Sequence, residues 1–275
     1  MKPVRTIVII GATSGLGRCA AQLLGAAGHR LVLVGRDPNR ARDLRSEVPA
    51  ACVIAGDVAT QDGIDHVVHQ IGQTTDGIDT LLNNAGVMLP DRQLTAEGIE
   101  MNLAVHHLAP YSVTSRLLPL LHSGDGRVVN VNSEGHRAAL FRPGPIEIDF
   151  SDLNSEYGYE PTVVYSRTKL ANLMFTYELQ RRHPELTVLA VHPGMVRTDL
   201  GRHFPRLQVA AMHAISMSAR KGAAPVAFLA AEPRTERGAY YNRFEPARSS
   251  AASYDTAAAS RLWTATELLR GPFGG

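Results

Sequence analysis

The chain is expected to form one α/β domain over residues 1–275, a doubly wound, mostly parallel sheet with helices on both faces. Three observations support this. Short runs of consecutive apolar residues alternate with amphipathic stretches; the runs are apolar throughout rather than at every second position; and a glycine-rich turn joins the first run to the first amphipathic stretch. Strands that are apolar on both faces must be buried on both faces, which happens when helical crossovers cover a parallel sheet. Right-handed crossovers then place ligands at the carboxyl ends of the strands.

The strands are expected at residues 6–10, 30–34, 52–55, 80–82, 127–132 and 187–192, and the helices at 15–27, 39–48, 61–72, 98–121 and 165–182. Neither a domain boundary nor an internal repeat interrupts this order. Two segments depart from it, 134–164, rich in Pro, Gly, Tyr and Phe, and 199–222, which carries Phe204, Leu207, Met212 and Met217. Both follow strands whose carboxyl ends face the expected cleft, so they are read as substrate walls or lids.

Composition narrows the function. The 275 residues are 44% hydrophobic and 20% charged with a net charge of +2, which fits a soluble enzyme and lacks the basic face of a nucleic-acid binder. Cys19 and Cys52 stand in apolar surroundings and read as buried thiols of a reducing compartment. His66, His69, His106, His107 and His192 have no metal-site spacing, so no metal is expected and these histidines read as packed or surface groups. The first residues lead straight into a strand and no apolar stretch is long enough to span a membrane, so the expectation is a cytoplasmic protein without membrane partners.

The chemistry lies in two motifs. In the first, Ile7–Ile10 leads into Gly11-Ala12-Thr13-Ser14-Gly15-Leu16-Gly17. Gly11 permits a tight turn, Gly15 lets backbone approach a phosphate, and Gly17 lets helix pack on sheet, while the helix amino end attracts the pyrophosphate of a dinucleotide. The second strand ends in Gly35-Arg36-Asp37. With no carboxylate directly at the strand end and the Arg36 fork beside it, the reading is NADP(H), with Thr13 and Ser14 adding hydroxyls. An inward Asp37 with Arg36 in solvent would reverse that preference. Asp57, followed by Val58, is placed to accept from the adenine amine or to cap the next helix. In the second motif, Tyr165 and Lys169 lie one helical turn apart, a phenol and an ammonium suited to exchanging a proton with an oxygen.

These motifs, with Asn83-Asn84-Ala85-Gly86, Asn102, Ser133 and the segment His192-Pro193-Gly194-Met195-Val196-Arg197-Thr198, resemble the short-chain dehydrogenase/reductase family over nearly the whole chain. Arg36, the long gap between Ser133 and Tyr165, Leu170-Ala171-Asn172 and Arg261-Leu262-Trp263 are similar to its retinol-dehydrogenase-like branch. The departures are Ile10 where the family has Thr, Asn132-Ser133 where Ser-Ser is usual, and the absence of the membrane anchor of some retinoid enzymes.

The resemblance implies a Rossmann-type oxidoreductase that transfers a hydride between the nicotinamide and a carbonyl or alcohol carbon. It gives Asn102, Ser133, Tyr165 and Lys169 as the catalytic residues, with Tyr165 as proton donor, Ser133 donating to the substrate oxygen and Asn102 positioning a water that links Lys169 to solvent as a proton relay. It implies that Lys169 favours the phenolate and holds the nicotinamide ribose, and that Asn84, Ala85, Gly86, Pro193, Gly194, Val196 and Thr198 line the cofactor site. Ketone or aldehyde reduction is the favoured direction; alcohol oxidation and a non-catalytic cofactor-binding regulator are the alternatives. Ser133, Phe141, Tyr157, Tyr159, Phe204, Leu207 and Met212 are the candidate substrate contacts. Helices 98–121 and 165–182 resemble those that pair between family subunits, so a homodimer or homotetramer is expected.

Overall fold

A computed structural model describes residues 3–121, 126–139, 144–232 and 235–274. The elements run β1 (Thr6–Ile10), α1 (Gly15–Ala26), β2 (Arg30–Gly35), α2 (Pro38–Glu47), β3 (Cys52–Ala55), α3 (Gln61–Gly72) and β4 (Thr80–Asn83). A single helical turn, α4 (Met101–Leu103), passes through a π-helical turn (Ala104–Leu108) into α5 (Ala109–Leu117). There follow β5 (Arg127–Val131), α6 (Pro161–Arg182), β6 (Thr187–His192), α7 (Arg206–Ala214), α8 (Ala219–Ala231), β7 (Tyr240–Asn242), β8 (Glu245–Ala247) and α9 (Thr256–Arg270).

The eight strands form one sheet in the order β3-β2-β1-β4-β5-β6-β7-β8. All neighbours are parallel except β7 and β8, an antiparallel hairpin at one edge. The order reverses between β1 and β4, where Ile10 pairs with Val34 on one side and with Asn83 on the other. That reversal opens the crevice in which such sheets hold ligands. All six expected strands are present within two residues of their expected ends. The edge hairpin and helices α7, α8 and α9 are additions.

Side chains alternate across β1 and are buried on both sides. Ile7 and Ile9 pack with α1, α2 and α8 through Ala20, Leu24, Leu44 and Val226. Val8 and Ile10 pack with α3, α5 and α6 through Ile64, Val67, Val113 and Phe175. Helices begin where the sequence offers caps. The Asp37 carboxylate accepts from the Asn39 and Arg40 amides ahead of α2, with Pro38 at its first position. Glu160 does the same for α6 through the Thr162 and Val163 amides. The α6 helix therefore starts at Pro161, four residues earlier than expected.

Of the 22 residues of α6, 15 are buried, more than one helix face can hide, so it is covered on both sides. The sheet covers one side and α9 the other. Trp263 stacks on Phe175 and meets Tyr111 edge-on, while His107 Nε2 bonds Thr266 Oγ1 at 2.8 Å. The α5 and α6 surfaces expected to meet a second subunit thus carry α9 of the same chain.

Candidate active site

The glycine turn is shaped by close contacts with the residues just after β4. Gly11 has φ +85° and a Cβ there would lie 2.7 Å from the Ala85 backbone. A Cβ on Gly17 would lie 2.1 Å from the Gly11 carbonyl oxygen, and Asn84 Nδ2 donates to that same oxygen at 2.7 Å. Asn84 and Ala85 therefore brace the turn that holds Gly15 and Leu16 at the head of α1. Ser14 is the α1 cap residue, yet its hydroxyl caps nothing, and the first turn of the helix contains no acidic residue. Its amino end keeps its positive field and free amides for an anion. From the other side the Pro193-Gly194 segment brings Thr198 to 3.4 Å from a Cβ on Gly15, and Val196 packs against Gly222 near Leu16. These residues fit the pyrophosphate and nicotinamide half of a dinucleotide.

At the end of β2 the structure refines the expectation. Thr13 is buried and its side chain fills the space above Gly35, where a Cβ would meet it at 2.2 Å. Its hydroxyl oxygen would lie 2.3 Å from that Cβ. Asp37 caps α2 and forms an ion pair with Arg40 at 3.7 Å. Arg36 is exposed. Burial, followed by the charges of Arg36 and Arg40, lowers the pKa of Arg202, and Arg40 Nη1 pairs with Asp199 at 3.1 Å. Arg40 and Arg202 both bond Asp199, and Arg36 is close enough to act on Arg202. At the end of β3, Asp57 accepts from the Ala59 amide and the α3 cap is Thr60, so Asp57 is not the helix cap; Val58 is buried in the core.

Ser133 stands two residues beyond the end of β5 and Tyr165 lies on α6. Ser133 is near enough to the Tyr165 phenol to favour its ionised form, and Ser133 Oγ accepts from the Gly135 amide at 3.1 Å; a Cβ on Gly135 would lie 3.3 Å from the Tyr165 ring and 3.4 Å from Ser133 Oγ. Lys169, one turn after Tyr165, places Nζ 5.8 Å from the centre of the Tyr165 ring and donates to the Val131 carbonyl at 3.1 Å. Burial brings the Lys169 ammonium down to about 8. Burial raises the Tyr165 phenol above its usual value, with Ser133 pulling the other way. The expectation that Lys169 together with the oxidised nicotinamide favours the phenolate concerns the site with its dinucleotide bound; in the chain alone burial is the larger cause.

Behind these side chains lies a buried amide network. Asn132 Oδ1 accepts from the Ser133 amide at 2.7 Å, while its Nδ2 donates to Asn172 Oδ1 at 2.9 Å and to the Lys169 carbonyl at 3.0 Å. Asn132 thus ties Ser133, just beyond β5, to the helix of Tyr165 and Lys169. Asn102 is buried, and its Nδ2 donates to Glu100 Oε1 at 2.7 Å and to the Tyr159 hydroxyl at 3.3 Å. His106, one turn further on in the π-helical segment, meets the Tyr165 ring edge-on at 5.3 Å between ring centres.

The expected substrate contacts divide. Ser133 is in place. Tyr159 is half-buried, but its hydroxyl is held by the Leu89 carbonyl. Tyr157 and Leu207 are 80% and 83% exposed, and Met212 is also exposed, so none of the three forms a packed wall. Tyr157 sits on a turn held by Asp152 and followed by Gly158 at φ +62°, which carries its ring outward. Phe204 is half-buried ahead of α7. Phe141 lies outside the described residues.

Comparison with known proteins agrees with this geometry. Residues 5–142 match the family model described as adh_short, short chain dehydrogenase. Retinol dehydrogenase 14 of Mus musculus is 34% identical, covering 97% of this chain and 86% of that protein. A Streptomyces sp. (strain C5) protein named "Putative daunorubicin C-13 ketoreductase DnrU" is 35% identical over 98% of this chain and 93% of its own. The crystal structure of an uncharacterized protein from Mycobacterium paratuberculosis superimposes with a TM-score of 0.79 at 30% identity, covering 100% of this chain and 97% of the other. The chain belongs to the short-chain dehydrogenase/reductase family. It is an oxidoreductase of the retinol-dehydrogenase-like branch.

Proposed function

We propose that the protein is an NADP(H)-dependent carbonyl reductase acting on an apolar or aromatic ketone or aldehyde in the cytoplasm. The observation that carries this reading is the placement of Ser133 beside the Tyr165 phenol, with Lys169 one turn on along the same helix and its Nζ 5.8 Å from the ring centre. When bound, the dinucleotide supplies the hydride. Ser133 then donates to the carbonyl oxygen of the substrate and orients it. Tyr165 gives its proton to the developing alkoxide; because burial raises its pKa, it is fully protonated at neutral pH. Lys169, positively charged below about pH 8, stabilises the phenolate left behind.

Arg36, exposed beside Arg40 and Arg202, supports recognition of a 2′-phosphate, as does the engagement of Asp37 in its cap. The ketoreductase and retinol dehydrogenase relatives support a bulky apolar substrate. The free thiols of Cys19 and Cys52 support a reducing compartment. Among the described residues, no helix is long and apolar enough to cross a membrane.

The test is NADPH oxidation against cyclic, aromatic and polyketide-type ketones, with the wild type and Tyr165→Phe side by side. Turnover by the wild type that the variant loses by about 100-fold or more, with NADPH affinity kept, supports the reading. Turnover by the variant within a few-fold of wild type overturns it.

A further inference from the structure

A hydrogen-bonded chain crosses the floor of the site through a residue that the sequence motifs do not include. The Val87 amide, just beyond Asn84-Ala85-Gly86, donates to His106 Nε2 at 3.1 Å. His106 Nδ1 lies 2.8 Å from Thr168 Oγ1, and that hydroxyl donates to the Tyr165 carbonyl at 2.9 Å. The directions are determined by the ends. An amide can only donate, so Nε2 is the acceptor and the imidazole proton sits on Nδ1, pointing at Thr168. The Thr168 hydroxyl uses its own proton on Tyr165, which leaves its lone pairs for His106. Every donor meets an acceptor with the ring neutral.

His106 is 1% exposed, and burial together with the Lys169 charge holds its pKa well below the usual value. Its ring edge supports the Tyr165 ring at 5.3 Å between centres, perpendicular to it. The π-helical turn makes this possible. The Ala109 amide bonds Ala104, five residues back, and the His106 carbonyl accepts from Asn172 Nδ2 on α6 at 2.9 Å. His106 is therefore fixed to α6 through both backbone and side chain.

We propose that His106 is a positioning residue: its neutral imidazole, bridging the Val87 amide and the Thr168 hydroxyl, sets the Tyr165 ring in place and ties the cofactor-side loop at 84–87 to the α6 helix. The kinetic part rests on the reading of Tyr165 as proton donor. The structural part does not, and the experiment separates the two.

Histidine-selective 15N spectra of the full chain, with the His106 signal assigned by its loss in His106→Asn, should show an Nδ1–H tautomer that stays neutral where an ordinary histidine titrates. An Nε2–H tautomer, or titration near the ordinary histidine value, overturns the proposal. In ketone reduction, His106→Leu should lower kcat about 10- to 100-fold with KM for ketone and NADPH changed less than about threefold. Thr168→Val should lower kcat in the same way, and the double variant should be no slower than His106→Leu alone, because one chain is cut in two places. His106→Asn, whose amide reaches Thr168 in place of Nδ1, should recover part of the rate. If His106→Leu does not fold, His106→Asn and Thr168→Val, singly and combined, carry the same comparison. Unchanged kcat, independent multiplication of the two effects, or losses that appear only in KM overturn the positioning role. A Tyr165→Phe variant that keeps its activity would remove the proton-donor reading while leaving the tautomer result standing.

Discussion

Thr13 and Gly35 share one volume. The threonine side chain lies where a Cβ on residue 35 would be, 2.2 Å from its methyl and 2.3 Å from its hydroxyl oxygen. The glycine at the end of β2 is therefore a packing requirement of the turn as well as the removal of a carboxylate. Gly35→Ala should destabilise the fold by about 1–3 kcal/mol through overpacking, measured by urea denaturation. Thr13→Gly in the same chain should restore most of the loss. Gly35→Asp should shift preference toward NADH only in combination with Thr13→Gly; a full shift from Gly35→Asp alone would refute the packing argument.

If Arg36 reads a 2′-phosphate as proposed, Arg36→Leu should weaken NADPH binding about 10-fold or more while changing NADH binding little, because NADH lacks that phosphate. Fluorescence titration of both coenzymes checks this. Equal weakening of the two would remove the role assigned to Arg36.

Lys169 predicts two pH effects. Its pKa in the folded chain is about 8, below the ordinary lysine value of 10.5, so the folded state binds fewer protons than the unfolded state between these limits. Stability contributed by this group therefore rises with pH across that window, and the buried charge costs stability below it. Lys169→Met should raise the melting temperature near pH 6.5 by about 2–4 °C, a gain that shrinks as pH approaches 10. The same substitution should nearly abolish turnover. In the wild type, kcat for reduction should fall as pH rises through about 8, where the ammonium loses its charge. A flat profile from pH 7 to 9.5 would contradict the assignment.

Trp263 secures α9 to α5 and α6. It is 4% exposed among Tyr111, Phe175 and Phe273. Trp263→Ala should cost about 3–5 kcal/mol. With this face occupied, light scattering on the intact chain should show no assembly that depends on α5 and α6, and Trp263→Ala should increase self-association by exposing them. A wild-type dimer cross-linked between two α6 helices would disprove this.

The strands were legible because each is an apolar run bounded by turn residues, and the glycine turn because Gly11, Gly15 and Gly17 are spaced for a strand–turn–helix. Ser133, Tyr165 and Lys169 were legible for a different reason: each sits just beyond the end of a strand or on one face of a helix, where spacing determines direction. The edge hairpin was not, since three-residue strands carrying Asn242 and Glu245 show no apolar alternation. Helix α7 was hidden in a segment that reads as a lid, because its exposed Leu207 and Met212 resemble a loop's apolar residues. The amide network of Asn132 and Asn172 joins residues 40 apart in the chain, and only the packed helix shows that they meet. Asn102 stands out over His106 only if the helix is regular, and no periodicity in the sequence announces a π-helical turn.

That wide turn acts as a phase shifter. A regular α-helix advances about 100° per residue, so one extra residue in a turn rotates everything before it relative to everything after it. Asn102 can thereby serve the Glu100–Tyr159 side while Tyr111 and Val113 stay locked in the core. Removing one residue between 104 and 108 would leave composition and hydrophobicity almost untouched, yet turn the imidazole away from the phenol it supports. At this point the length of the chain, more than the identity of any side chain, encodes the alignment.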